Sequence, residues 1–212
     1  MFHNIPAVRH TDGGHDFNLE TIRETAVTLL LSQRLSRLPI DPKRFCTGGI
    51  RCDSMENFCS KTRMTLNALN RDSGLKDGFT VFLPGGDCVI LYNDNVKSHY
   101  RKNFTIAHEL GHIHLGHASD EPLRELEADT FAAELLMPRI LLREMHLRCG
   151  HSISYTELSS LFRVSRQAAR IRLEELDFTR SPFSTNELNL LGRYKGIFPD
   201  SEHYVTAPEK TP

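Results

Sequence analysis

The chain has 212 residues, 39% hydrophobic and 25% charged, and a formal net charge of −1 at pH 7. These values are ordinary for a water-soluble globular protein and favour one domain with a small appendage. The charge excludes a global attraction to nucleic acid or membranes. No apolar run approaches the roughly eighteen residues that a transmembrane helix needs. Residues 1–17 lack a signal-peptide core, so we expect a flexible N-terminus and a cytoplasmic protein.

A helical pattern begins near Asn18, where apolar residues start to recur at helical spacing, and Pro39 is expected to end it. Asn18 and Thr21 are both candidate N-caps. The five cysteines lack the paired spacing of a structural zinc site and are expected to be free thiols. Further short elements are predicted as a helix after Asp41-Pro42, a strand at 50–52 and one or two helices within 54–72.

Two β-rich runs, residues 79–83 and 88–92, flank the loop Pro84-Gly85-Gly86-Asp87. Two such runs around a glycine-containing loop predict a β-hairpin. One role for this hairpin is to cover the core.

The next segment, residues 105–113, is expected to be helical and contains His-Glu-x-x-His. Residues four apart lie on one helix face, so His108 and His112 can direct their imidazoles at one metal ion. The bond to each would be ~2.0–2.1 Å for zinc. Glu109 follows His108 and is placed to act as general base on a bound water. The alternative is an amphipathic helix with two partnered core histidines.

A catalytic zinc of this class needs a third protein ligand, and a second predicted helix at residues 125–136 offers candidates. Glu125 and Asp129 are four apart and share a face, so Glu125 can complete the site. Asp129 can accept the second ring N–H of His108 and fix its orientation. Glu127 points about 200° away from Glu125 and is the weaker candidate. This ligand set suits one zinc ion per chain, and manganese or iron also binds such ligands.

Two motifs, Ala-His-Glu-Leu-Gly-His-Ile-His-Leu-Gly-His and Glu-Leu-Glu-Ala-Asp-Thr-Phe-Ala, resemble those of the ImmA/IrrE family of zinc metallopeptidases. That family consists of small bacterial and phage-associated proteins with a gluzincin-like site. The resemblance implies His108, His112 and Glu125 as metal ligands and Glu109 as base, with Asp129 where the family carries Asn or Asp. It extends more weakly over residues 22–176. It also implies a second role for the hairpin, whose edge can bind a substrate as an extra strand.

Residues 154–173 have the pattern of a helix-turn-helix unit, with Val164-Ser165 as turn and second N-cap, and the family commonly carries such a segment after its peptidase core. Glu174 and Glu175 and the slightly acidic chain oppose DNA binding. We expect the unit to pack on the catalytic domain and help dock the substrate. Its second helix does offer side chains that can contact phosphates and base edges, namely Arg166, Gln167, Arg170 and Arg172.

The predicted fold is α+β, with a mainly helical, zincin-like peptidase domain and a small antiparallel sheet. The predicted divisions are a peptidase domain at 18–150, a helix-turn-helix-like unit at 151–178 and a partly disordered tail at 179–212. The resemblance implies a zinc-dependent metalloendopeptidase that cleaves a DNA-binding repressor and derepresses mobile-element, phage or stress-response genes. Two alternatives stay open: a DNA-binding regulator with a structural metal site, and a non-catalytic interaction module.

Overall fold

The computed structural model describes residues 17–70, 77–119, 121–149, 152–176, 182–194 and 196–197. The predicted flexible N-terminus therefore lies, up to residue 16, outside the described residues, as do residues 198–212 of the predicted tail. Within the described part, no helix is both long and apolar enough to cross a bilayer.

The described residues are mainly helical with a small sheet, so the α+β fold class is confirmed. The helices are α1 (Leu19–Ser32), α2 (Met55–Thr62), α3 (Leu66–Asn70), α4 (His99–Leu115), α5 (Pro122–Leu136), α6 (Arg139–Cys149), α7 (Tyr155–Phe162), α8 (Arg166–Glu175) and α9 (Thr185–Tyr194). The strands are β1 (Ile50–Ser54), β2 (Gly78–Phe82) and β3 (Cys88–Tyr92), and a 3-10 helix spans Pro42–Phe45.

Local capping signals explain where several helices begin. Asn18, and not Thr21, caps α1, because the side-chain oxygen of Asn18 accepts the Thr21 backbone N–H at 3.0 Å. Helix α1 ends at Ser32, earlier than Pro39 predicted, because the backbone of the next residue is already extended. Two other predicted caps are confirmed: Asp41 before the 3-10 helix and Ser165 before α8.

The strands form a mixed sheet in the order β1-β3-β2. The predicted hairpin is confirmed, with β2 antiparallel to β3 and Gly78 opposite Tyr92. β1 pairs with β3 in parallel, Ile50 lying opposite Cys88, so the small sheet is mixed and only its hairpin is antiparallel as predicted. Between β1 and β3 the chain passes through α2, α3 and β2, and a long crossover of this kind permits parallel pairing. β2 therefore lies at one edge of the sheet.

Gly111 allows α4 and α5 to approach each other closely. A Cβ atom added at Gly111 would lie 3.1 Å from the Cα of Ala128 and 3.2 Å from the Cβ of Phe131, closer than ordinary contact. Phe131 is fully buried in the core between these helices. The tight packing brings the first turns of α5, which carry Glu125 and Asp129, over the C-terminal half of α4.

Helices α7 and α8 belong to the same hydrophobic core as the helices before them, through Leu158 and Phe162 among others. Arg172 of α8 attaches the pair to α5. One of its terminal nitrogens lies 2.6 Å from the Glu134 carboxylate, and its Nε donates to the Met137 carbonyl at 3.1 Å. With 4% of its side chain exposed, Arg172 is not accessible to phosphates or bases, although its residue type could contact both. A buried arginine needs acceptors, and α5 supplies them.

Residues 185–194 of the predicted tail form helix α9, which packs on α1 and α6. Leu190 and Tyr194 of α9 are fully buried. Arg139 of α6 donates from Nε and Nη2 to the two carboxylate oxygens of Glu187, at 2.6 and 2.8 Å. The folded core therefore continues well beyond the helix-turn-helix-like pair.

Candidate metal centre

The side chains predicted as metal ligands converge between α4 and α5. The Nε2 atoms of His108 and His112 are 3.0 Å apart, and each lies 3.4 Å from a carboxylate oxygen of Glu125. Ligand atoms around a tetrahedral zinc ion with bonds of ~2.0–2.1 Å are themselves about 3.3–3.4 Å apart. The donor types and their spacing therefore fit a zinc ion.

Asp129 lies behind His108, on the side away from Glu125. One of its carboxylate oxygens is 2.7 Å from His108 Nδ1. When Nδ1 carries the ring proton and donates it to Asp129, the lone pair of Nε2 is directed at the metal position. Burial alone would lower the pKa of His108, but Asp129 and Glu125 raise it to about 10. The surroundings of His108 thus favour a positively charged occupant, whether a proton or a metal ion.

Glu109 lies next to the ligands, lines the same cleft and is largely buried, with 8% of its surface exposed. Its Oε2 accepts a hydrogen bond from the hydroxyl of Thr80 at 2.7 Å. Thr80 is the middle residue of β2, so the sheet holds the carboxylate in place. Thr80 could not be predicted from the sequence, because 29 residues separate it from Glu109 and no motif includes it.

A second buried contact lies behind His112. Its Nδ1 is 3.1 Å from Nδ1 of His117, and Nε2 of His117 is 3.1 Å from Oε2 of Glu127. Glu127 also accepts from Arg124 at 3.0 Å. Glu127, the weaker ligand candidate, thus contacts His117 and Arg124. The carboxylate that lies close to both His108 and His112 is that of Glu125. Burial lowers the pKa of His117.

The ligands line a cleft of about 1410 Å³. Strand β2 forms one part of its wall, and the α7–α8 connection, with Ser165 and Gln167, forms another. Tyr100 also lines the cleft and is 41% exposed. A peptide in the cleft would therefore touch the sheet, the metal ligands and the α7–α8 pair together.

Comparison with known families agrees with this arrangement. The family model described as the IrrE N-terminal-like domain of peptidases matches residues 65–174, just over half of the chain. The matched range begins before β2, includes the whole ligand group and ends within α8. A search of curated proteins found no match. With this match and the cluster of His108, His112 and Glu125, the chain belongs to the ImmA/IrrE family of metallopeptidases.

Proposed function

We propose that the protein is a zinc-dependent endopeptidase in which His108, His112 and Glu125 hold the metal and Glu109 is the general base. The spacing of the three ligand atoms is the observation that supports this most, because it matches the ligand separations of a tetrahedral zinc site. A structural metal site would need no carboxylate at Glu109, yet that residue lies on the same cleft.

A divalent ion held by these ligands would polarise the scissile carbonyl and lower the pKa of the attacking water. The Glu109 carboxylate takes a proton from that water and later delivers it to the nitrogen of the leaving amine. Thr80 donates to Oε2 of Glu109 and so orients the carboxylate during both transfers. Asp129 keeps the ring proton of His108 on Nδ1, which leaves Nε2 available as a ligand.

Strand β2 is well placed to bind the substrate. It is an edge strand, and in the described part of the chain only β3 pairs with it. All five of its residues line the cleft. An edge strand can bind an extended peptide through main-chain hydrogen bonds, which would lay the scissile bond across the metal ligands.

The substrate that we propose is a helix-turn-helix repressor, whose cleavage would derepress the genes that it silences. The family resemblance is the first support. The second is the α7–α8 connection, because Val164, Ser165 and Gln167 line the cleft where substrate would bind. Arg172, by contrast, is buried against α5 and is not offered to DNA. A repressor substrate would also require the protein to act in the cytoplasm.

The direct test is to incubate the zinc-loaded protein with purified helix-turn-helix repressors, beginning with any that a neighbouring gene encodes, and to measure intact masses. We expect two fragments with the wild type. Glu109→Gln should retain zinc and cleave about 10²–10⁴-fold more slowly, because it lacks the base. Equal rates for the two proteins would contradict the role of Glu109. If the repressor stays intact while a proteome-derived peptide library is cleaved, the protein is a peptidase but this repressor is not its substrate.

DNA binding by the α7–α8 pair is the rival function, and Arg166 and Arg170 remain its candidates. We expect no sequence-specific retention of DNA in a mobility-shift experiment at physiological salt and submicromolar protein. Retention that is abolished by Arg166→Ala or Arg170→Ala would instead favour the regulator.

A further inference from the structure

We infer that His117 is a positioning residue for the metal ligand His112, in the way that Asp129 is for His108. The inference rests on the proposed metal site. It assigns a role to a histidine outside the His-Glu-x-x-His motif and to the buried pair that it forms with Glu127.

The C-terminus of α4 places His117 over His112. Gly116 has a positive φ of 71°, a conformation that favours glycine and turns the chain back after the last helical residue. The backbone N–H of His117 then donates to the carbonyl of His112 at 2.9 Å. The same two residues are therefore joined twice, through their backbones and through their rings.

The contacts of the ring nitrogens determine which nitrogen of His112 and of His117 carries the proton. His112 directs Nε2 at His108 and Glu125, so that nitrogen must keep its lone pair to bind a metal. The proton of a neutral His112 ring is then on Nδ1, and Nδ1 of His117 is the acceptor 3.1 Å away. A neutral His117 must in turn carry its own proton on Nε2, the nitrogen that faces Glu127.

His117 is not a fourth ligand for the same ion. It contacts Nδ1 of His112, which lies on the opposite edge of that ring from Nε2. Its side chain is 1% exposed and lies between His112 and Glu127.

Glu127 and Arg124 anchor His117 from α5. The Glu127 carboxylate is 8% exposed and lies within ion-pair distance of His117 Nε2, although the N–H is not aligned with it for a full hydrogen bond. Arg124 holds that carboxylate at 3.0 Å. Each proposed histidine ligand of α4 is therefore linked to an acidic residue of α5. Asp129 contacts His108 directly, and Glu127 reaches His112 through the ring of His117. Partners of this kind orient metal-binding imidazoles.

Zinc affinity, measured by competition with a chelator, tests the role. His117→Phe keeps a ring but removes both nitrogens, and we expect zinc to bind about 10–100-fold more weakly. His117→Asn restores an acceptor at the position of Nδ1 and should recover most of this loss. His114→Phe is the matched control, since His114 lies on the same helix end, stacks on Phe131 and should leave the affinity unchanged.

Nitrogen NMR of the zinc-loaded wild type supplies a readout that depends on no variant. We expect His112 to carry its proton on Nδ1 and His117 to carry its proton on Nε2. A proton on Nδ1 of His117 would overturn the inference, because two N–H groups would then face each other. Wild-type zinc affinity in His117→Phe would overturn it as well, and so would equal losses in His117→Phe and His117→Asn. Absence of zinc binding by the wild type would overturn the proposed metal site together with this inference.

Discussion

Three residues of the candidate metal centre, Glu109, His108 and His112, each contact a side chain outside the group of proposed ligands. Thr80 donates to Glu109, Asp129 lies 2.7 Å from His108, and His117 contacts His112. Of these partners, Asp129 alone was predicted from the sequence, because the four-residue spacing from Glu125 placed it on the same helix face. The spacing of residues in the sequence predicts only which side chains share a face of the same helix. Thr80 instead contacts Glu109 from strand β2, and His117 contacts His112 from just beyond the C-terminus of α4.

Replacing Asp129 with alanine should weaken zinc binding roughly 10–100-fold, because His108 would lose the acceptor that fixes its ring. Chelator competition measures this affinity. Asp129→Asn is the informative companion, since its side-chain oxygen can still accept the Nδ1 proton and should preserve more of the affinity. Wild-type affinity in Asp129→Ala would show that the 2.7 Å contact does not orient the ligand.

Among the helices, the packing of α4 on α5 decides whether the ligands meet. The motif predicted α4 and its two histidines, and apolar spacing predicted α5, so this part of the site could be derived from local pattern. Gly111 sits in the middle of the motif, yet its function as the contact point for Ala128 follows only from the packed structure.

Gly111→Ala tests this contact. Alanine would favour an isolated helix by about 0.8–1.0 kcal/mol, but here its Cβ would meet the backbone of Ala128 at 3.1 Å. We expect α5 to shift, and zinc affinity and thermal stability to fall. Gly192→Ala in α9 is the control, because nothing lies within 4 Å of the added carbon, and it should stabilise the protein. Equal stabilisation by both changes would contradict the close packing.

Glu134 of α5 joins three helices and predicts a dependence of stability on pH. Burial would raise its pKa, but Arg172 of α8 and Arg23 of α1 outweigh burial and hold the pKa below the ordinary 4.5. A lowered carboxyl pKa contributes stability above the ordinary pKa, and this contribution is lost as pH falls through the lowered value. Removing one partner of a buried ion pair costs about 3–5 kcal/mol.

We therefore expect Glu134→Gln to be much less stable than the wild type at neutral pH. The difference in free energy of unfolding between the two proteins should become smaller as the pH falls below about 4.5, since only the wild type loses the charge there. Urea unfolding at a series of pH values measures this difference. A constant difference across this range would show that the charge of Glu134 contributes nothing to stability.

The elements that the sequence did not predict depend on distant partners. β1 and β3 pair in parallel although α2, α3 and β2 lie between them in the sequence. Local sequence patterns do not predict pairing between strands so far apart. Helix α9 lies in a proline-containing region with few apolar runs. Its burial depends on α1 and α6, including the bond from Arg139 to Glu187, 48 residues apart.

At the scale of the whole molecule, helix α9, the last in the described part of the chain, packs on α1 and α6 and extends the core. Leu190→Ala should lower the free energy of unfolding by about 2–5 kcal/mol, because Leu190 is completely buried. Leu188, two residues earlier, is 53% exposed, and Leu188→Ala should change stability by less than about 0.5 kcal/mol. Chemical unfolding measures both. Similar effects for the two would mean that α9 does not pack as described.

We propose that the whole fold brings one metal ion to His108, His112 and Glu125. Elemental analysis of the purified wild type and Glu125→Ala tests it most directly, with Glu121→Ala as control because that side chain makes no capping bond at the start of α5. We predict about one zinc per chain in the wild type and the control, and loss of most of it in Glu125→Ala. A full zinc content in Glu125→Ala, or none in the wild type, would contradict the account.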